Sequence, residues 1–249
     1  MLAQTAATFS RRPSNGVIRP VSMNSPPALN LTAVTGALIA ANLAVHLVRL
    51  LLAPQLDQAV LLHLGFAPSL FVDPAGGFGP PAEAALWLSP LTYSFLHGDL
   101  LHLLVNTGFL LAFGTLLERR LGSRRFLAFY LLLALLSIAG TVAVYLLTRV
   151  PVLVIGASGA VAGLFGAAAR FAFARRRLTL AAGQPARRGW PRGLLLAVLF
   201  IGINLAFGLI GLADFGGIRA IAWEAHITGF LAGAALFPLF DRGGAAPYS

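Results

Sequence analysis

The run Phe126-Leu127-Ala128-Phe129-Tyr130-Leu131-Leu132-Leu133-Ala134-Leu135-Leu136-Ser137-Ile138-Ala139-Gly140-Thr141-Val142-Ala143-Val144-Tyr145-Leu146-Leu147-Thr148, framed by Arg124-Arg125 and Arg149, decides the fold. It holds no charged residue, and a helix needs about 20 mostly apolar residues to cross a hydrocarbon core about 30 Å thick. Its polar members, among them Ser137, Thr141 and Tyr145, are uncharged. Within lipid every backbone amide must be satisfied inside its own segment, so such a run is a helix.

Working outward, five more segments meet the same length rule, near 30–53, 91–117, 153–174, 192–212 and 219–240, with the quoted run at 125–148. The expected architecture is therefore an all-α membrane protein, a bundle of six transmembrane helices. Composition agrees: of 249 residues 58% are hydrophobic and only 10% charged, well outside the range of an ordinary soluble domain. The absence of cysteine excludes a disulfide framework, a thiol nucleophile and cysteine-ligated metals. The net charge of +10 is carried entirely by arginine on the basic side, and most of it sits in the joints between apolar runs. That placement marks topology, and nucleic acid is not an expected partner.

Arg11, Arg12 and Arg19, then Arg119, Arg120, Arg124 and Arg125, then Arg175, Arg176, Arg177, Arg187, Arg188 and Arg192, and finally Arg242 fall on alternate joints. Positively charged joints stay cytoplasmic, so both termini are expected on that side. Residues 1–29 read as a disordered cytoplasmic tail, although an Arg-rich, Ser-rich leader also fits organelle targeting. Residues 30–240 form the six-helix domain, and 241–249 a short cytoplasmic tail. The long joint 54–90 lies outside. Its apolar stretch from Val60 to Phe71 is too short to span and suits one helix lying in the membrane interface.

Strongly polar groups inside spans are expensive and mark function by default. His102 and Asn106 stand four apart on one helical face of the second segment, just after His97. On their own they also suit helix packing. The fourth segment opens Gly156-Ala157-Ser158-Gly159 and continues with Gly163 and Gly166. Glycines flanking the serine suit a chain that enters extended and starts its helix near Ser158, whose hydroxyl then lies among unpaired backbone donors. Gly159 and Gly163, with Gly229 and Gly233 on the sixth segment, offer shallow surfaces for close helix approach. The sixth segment carries His226.

Depth links the three. At 1.5 Å per residue, Ser158 lies roughly 25 Å from Arg175, His226 roughly 24 Å from Arg242 and His102 roughly 25 Å from Arg119. All three share one level a short way beneath the outer surface, where a water-filled cavity can reach them. A serine needs a base to become a nucleophile, and His226 is the candidate base for Ser158. No carboxylate stands at that depth on a neighbouring span, so a dyad is expected. The Ser158 N–H, the Asn106 amide and the His102 imidazole are candidate donors to the oxyanion of a tetrahedral intermediate. No metal or organic cofactor is implied, because the histidines lack accompanying ligand carboxylates.

From about residue 30 to 240 the chain resembles the rhomboid intramembrane proteases. The matching pieces are His97 with His102-x-x-x-Asn106, Glu118-Arg119-Arg120-Leu121-Gly122, Gly156-Ala157-Ser158-Gly159 with Gly163, and Ala225-His226 followed by Gly229. The resemblance implies that Ser158 is the nucleophile, His226 the general base, and His102 with Asn106 the oxyanion hole. It implies substrates that are themselves transmembrane proteins in the lipid bilayer, and entry beside the fifth span. Glu118 and Arg120 look like the family's structural polar pair. The chain departs from the family at Ala162, where some members carry an aromatic that stacks on the catalytic histidine, and at Leu88-Ser89, where Trp-Arg is frequent. A bacterial inner membrane is the expected location. A family member that binds transmembrane clients without cleaving them, and a small transporter, are the rival readings.

Overall fold

The computed structural model describes residues 31–72, 83–181, 192–212 and 222–241. The expected N-terminal tail, most of the expected C-terminal tail, Arg187, Arg188, Arg219 and Arg242, and the Gly/Pro cluster between 74 and 81 lie outside the described residues. Helix α1 (Ala33–Leu50) leads to three shorter ones, α2 (Pro54–Leu64), α3 (Pro68–Val72) and α4 (Glu83–Thr92), and a 3-10 turn at Tyr93–Phe95. Helix α5 (Leu100–Phe109) passes through a π-helical turn at Leu110–Gly114 into α6 (Thr115–Leu121), making one continuous helix from Leu100 to Leu121. Four long helices follow: α7 (Ser123–Thr148), α8 (Ser158–Ala181), α9 (Arg192–Leu212) and α10 (Trp223–Phe240). Among the described residues there is no strand, only one isolated antiparallel bridge between Phe66 and Val154.

The boundaries have local causes. Pro54 starts α2 at a position where its missing N–H is no loss. Asp99 caps α5 by accepting from the His102 N–H at 2.8 Å. Gly122, at φ +80°, makes the sharp joint between α6 and α7. Arg149 ends α7 in the left-handed region, with its guanidinium over the Tyr145 ring.

Among the described residues three helices, Ala33–Leu50, Leu100–Leu121 and Ser123–Thr148, are long and apolar enough by themselves to cross a membrane. Burial is inverted relative to a water-soluble protein: Thr35, Asn42, Ser137 and Thr141 are fully buried, while Leu47, Leu104, Phe109, Leu199 and Ile203 are about half exposed or more. An apolar exterior around buried polar groups is the pattern a lipid solvent selects.

The core lies where α7, α8 and α10 meet. Tyr130, Phe126, Phe129 and Leu133 of α7 are fully buried there, against Ala160, Leu164 and Ala167 of α8 and Phe237 of α10. Small residues let α8 and α10 touch backbone to backbone: a Cβ on Gly229 would run into the Gly159 carbonyl, and one on Gly233 into the Gly163 carbonyl. At the far end of these helices Glu118 is buried and caps a helix other than its own. It accepts from Val34 N–H at 3.0 Å, Thr35 N–H at 2.8 Å, Thr35 Oγ1 at 2.9 Å and Ser123 Oγ at 2.7 Å. A carboxylate at the start of α1 meets unpaired amides and the positive end of the helix dipole.

Several expected boundaries change. The second long helix begins at Leu100, not near 91, because the chain before it forms α4, the 3-10 turn and a loop over 96–99. The apolar stretch from Val60 to Phe71 is not one helix: α2 stops at Leu64 and the chain extends at Phe66 to pair with Val154. Residues 153–155 precede the fourth helix outside any helix, Gly156 and Ala157 turn the chain, and that helix starts at Ser158 itself. Glu118 and Arg120 make separate contacts at this end of the bundle. Arg120 binds Asp241 through two bonds, 2.9 and 3.2 Å, and stacks over Phe171, joining α6, α8 and the end of α10.

Candidate active site

Ser158 stands at the first position of α8, and the chain that delivers it is held at three points. Val154 pairs with Phe66 through two backbone bonds, 2.8 and 3.0 Å. The Gly156 N–H donates to the Tyr93 carbonyl at 2.8 Å, and the Ala157 N–H reaches His97 Nε2 at 3.5 Å. Tyr93 is itself fixed, its hydroxyl 2.8 Å from both the Ala134 carbonyl and Ser137 Oγ on α7. Gly156 adopts φ +115°, a conformation that side-chain-bearing residues rarely adopt. The turn also demands glycine sterically, because a Cβ there would lie 2.8 Å from Cε1 and Nε2 of His102 and 3.8 Å from Ser158 Oγ. The His102 ring edge and the Ser158 hydroxyl therefore border the same small space.

His226, one turn into α10, lies across from the serine, with Nε2 2.7 Å from Ser158 Oγ. The other ring nitrogen, Nδ1, is 2.7 Å from Asn204 Oδ1 on α9. The amide's orientation follows from its second bond: Asn204 Nδ2 donates to the Phe200 carbonyl at 2.8 Å, and a carbonyl only accepts. Oδ1 is thus the atom facing the imidazole, and it too only accepts. A neutral His226 must then carry its proton on Nδ1, leaving Nε2 as an acceptor for the serine proton. Three helices contribute one group each: α8 the hydroxyl, α10 the imidazole and α9 the amide that orients it.

On α5, His102 Nδ1 accepts from the Gly98 N–H at 3.4 Å, which in the neutral ring leaves Nε2 as the proton-bearing nitrogen on the Gly156 side. Asn106 is buried one turn further on, and its amide nitrogen donates to the His102 carbonyl at 2.9 Å. That bond engages one of the two amide hydrogens. His97 is fully buried and packs edge-on to His102 at 5.0 Å between ring centroids, behind Ala157. Gly159 and Gly229 face each other beside Ser137, and Gly163 lies under Leu133 and the Gly229 carbonyl. Among the described residues no three His, Asp or Glu side chains converge as a metal-binding group.

The structure thus brings Ser158 and His226 into contact, sets His102 beside them and His97 behind them, and turns Asn106 back along its own helix. Two residues carry more weight than their sequence signal suggested. Asn204 stood out in sequence only as the polar residue of an apolar segment, and nothing in the pattern fixed its partner. Arg49, in the last turn of α1, lay inside an apolar run and drew no role, yet it is 8% exposed and fully engaged, as described below.

A family model described as the rhomboid domain matches residues 84–242, more than half of the chain. YdcA of Bacillus subtilis, a protein named as a rhomboid protease, is 34% identical over 113 residues, covering 44% of this chain and 55% of YdcA. The rhomboid protease GluP of the same organism is 31% identical over 150 residues, covering 60% of this chain and 26% of GluP. The chain spans about half the length of the first of these relatives and about a quarter of the second. Its inverted burial, its apolar helices and the span of the domain match lead to one assignment: the chain is an integral membrane protein and belongs to the rhomboid family.

Proposed function

We propose that this protein is an intramembrane serine endopeptidase that cleaves transmembrane helices of membrane-protein substrates near the outer face of a bacterial inner membrane. In this scheme six helices span the bilayer, with both termini cytoplasmic. The observation that carries the proposal is the 2.7 Å contact between Ser158 Oγ and His226 Nε2, with Asn204 leaving that nitrogen as an acceptor.

Ser158 Oγ attacks the scissile carbonyl carbon while its proton passes to Nε2. The resulting imidazolium keeps Nδ1–H on Asn204 and returns the Nε2 proton to the leaving amine, which departs with the C-terminal fragment. Water then enters and attacks the acyl carbon while giving a proton to Nε2, and as that tetrahedral stage collapses the imidazolium returns the proton to the departing Ser158 Oγ. The oxyanion of each tetrahedral stage needs donors already in place. The Ser158 N–H at the start of α8, the His102 Nε2–H and the remaining Asn106 amide hydrogen are the proposed three. The sequence suggested a dyad, and Asn204 extends it: a neutral amide orients the imidazole without the charge a carboxylate would add. Each proton in this cycle has a donor and an acceptor among these side chains and water. A client-binding role without cleavage, the rival within the family, gives no account of an imidazole held in the accepting tautomer against a serine.

The test is cleavage of a reporter transmembrane substrate in proteoliposomes. Ser158→Ala and His226→Ala should each abolish cleavage while the bundle stays folded. Undiminished cleavage by either folded variant would exclude the assignment.

A further inference from the structure

We infer that Arg49 and Asp57 form a positioning clamp that ties α1 and α2 to the 96–99 loop supporting the reactive serine. This rests on the protease reading above and extends it to residues outside the reacting set.

Arg49 lies in the last turn of α1, and its side chain is nearly all buried. Its guanidinium reaches in two directions. Nε and Nη2 donate to the two carboxylate oxygens of Asp57 on α2, at 2.7 and 3.1 Å, a fork-on-fork pair. Nη1 donates to the main-chain carbonyl of His97 at 2.6 Å. His97 belongs to the loop over 96–99 that precedes α5, and its ring faces two parts of the site. Nε2 accepts from Ala157, the residue before the serine, and the ring packs on His102. A continuous path of contacts thus runs from Asp57 through Arg49 and His97 to Ala157 and His102.

The chemistry favours a fixed geometry over a merely filled space. Arginine's planar fork satisfies a carboxylate and a carbonyl at once, whereas a lysine ammonium presents a point charge and cannot hold the same pair of directions. An open cavity of about 450 Å³, lined by His46, Arg49, Asp57, Gly98 and Asp99 among others, adjoins the clamp. It leaves room for the 96–99 loop to shift once the guanidinium no longer holds it. Loss of Arg49 should therefore loosen the turn carrying His97, and with it the alignment of Ala157, Ser158 and His102. Displacements of about 1 Å at a reacting centre reduce rates by up to about a hundredfold.

The experiment compares two rates on purified full-length protein in detergent: covalent labelling of Ser158 by a small fluorophosphonate, and cleavage of the reporter substrate. Labelling needs an aligned serine but no bound transmembrane helix. In Arg49→Ala, labelling and kcat should both fall about tenfold with KM unchanged. Arg49→Lys should fall between that variant and wild type, and adding Asp57→Ala to Arg49→Ala should reduce labelling little further, since both act through one path. Labelling at the wild-type rate in folded Arg49→Ala, or a change in KM alone, would overturn the clamp. If Arg49→Ala does not fold, Arg49→Lys and Asp57→Asn decide: wild-type labelling in both overturns it, and a shared loss supports it. Wild-type protein that neither labels nor cleaves would instead defeat the protease reading, and the clamp with it.

Discussion

A single methyl group placed at Gly229 tests how far the site depends on backbone contact between α8 and α10. Gly229 follows His226 by three residues on α10, and Gly159 follows Ser158 directly on α8. In Gly229→Ala the new Cβ would collide with the Gly159 carbonyl and lie 3.3 Å from Ser137 Cβ. A carbonyl within a helix cannot rotate aside as a flexible side chain can, so the two backbones must part. Parting by roughly 1 Å stretches the Ser158–His226 contact from 2.7 Å to about 3.7 Å, outside hydrogen-bond range. Overpacking of this kind destabilises by about 1–3 kcal/mol. The same shift at the reacting groups should slow cleavage by about a hundredfold. The assay pairs reporter cleavage in proteoliposomes with thermal unfolding of the same preparation. Gly202→Ala on α9 is the control: nothing lies within 4 Å of its added Cβ, so it should raise stability by about 0.5–1 kcal/mol and leave cleavage alone. Folded Gly229→Ala cleaving at the wild-type rate would refute the contact argument.

Asn204→Leu removes the acceptor facing His226 Nδ1 and should lower kcat by about a hundredfold with KM unchanged, near the low end of what general-base catalysis contributes. Labelling His226 with nitrogen-15 gives a second check, since the Nδ1–H tautomer dominant in wild type should become a mixture in this variant. Gly156→Ala combines a strained φ with contact against the His102 ring. It should lose at least about tenfold in cleavage and about 1–3 kcal/mol in stability, both measured against wild type. Glu118→Gln weakens the cap shared by α1 and Ser123 and should cost about 2–3 kcal/mol in unfolding experiments, with cleavage per folded molecule unchanged.

The long helices were legible because lipid demands long uncharged runs, and such runs are visible without tertiary information. Ser158, His102, Asn106 and His226 stood out for the complementary reason, that polar groups within such runs are rare. The finer divisions were less visible. Hydropathy rises before Leu100 and continues after it, which hides the loop over 96–99, although Asp99 there is an ordinary helix-capping residue. The break at Gly65–Ala67 is set by pairing with Val154, nearly ninety positions away and absent from any local pattern. Asn204 faces His226 only because of how α9 is rotated about its axis, a quantity that packing decides. Arg49 was hidden by its neighbours, since in an apolar final turn an arginine resembles a side chain reaching for the headgroups.

The π-helical turn at Leu110–Gly114 sets the phase between two working faces of one rod. Above it the His102 ring borders the Gly156 turn beside the serine, and below it Glu118 looks toward the start of α1. The wide turn takes up about one residue more than an α-helical turn, so the lower half is rotated by about 100° from where an unbroken ladder would leave it. Deleting one residue there would spare every named group, yet only one of the two faces could keep its heading, and either the His102 ring or the carboxylate cap would swing away.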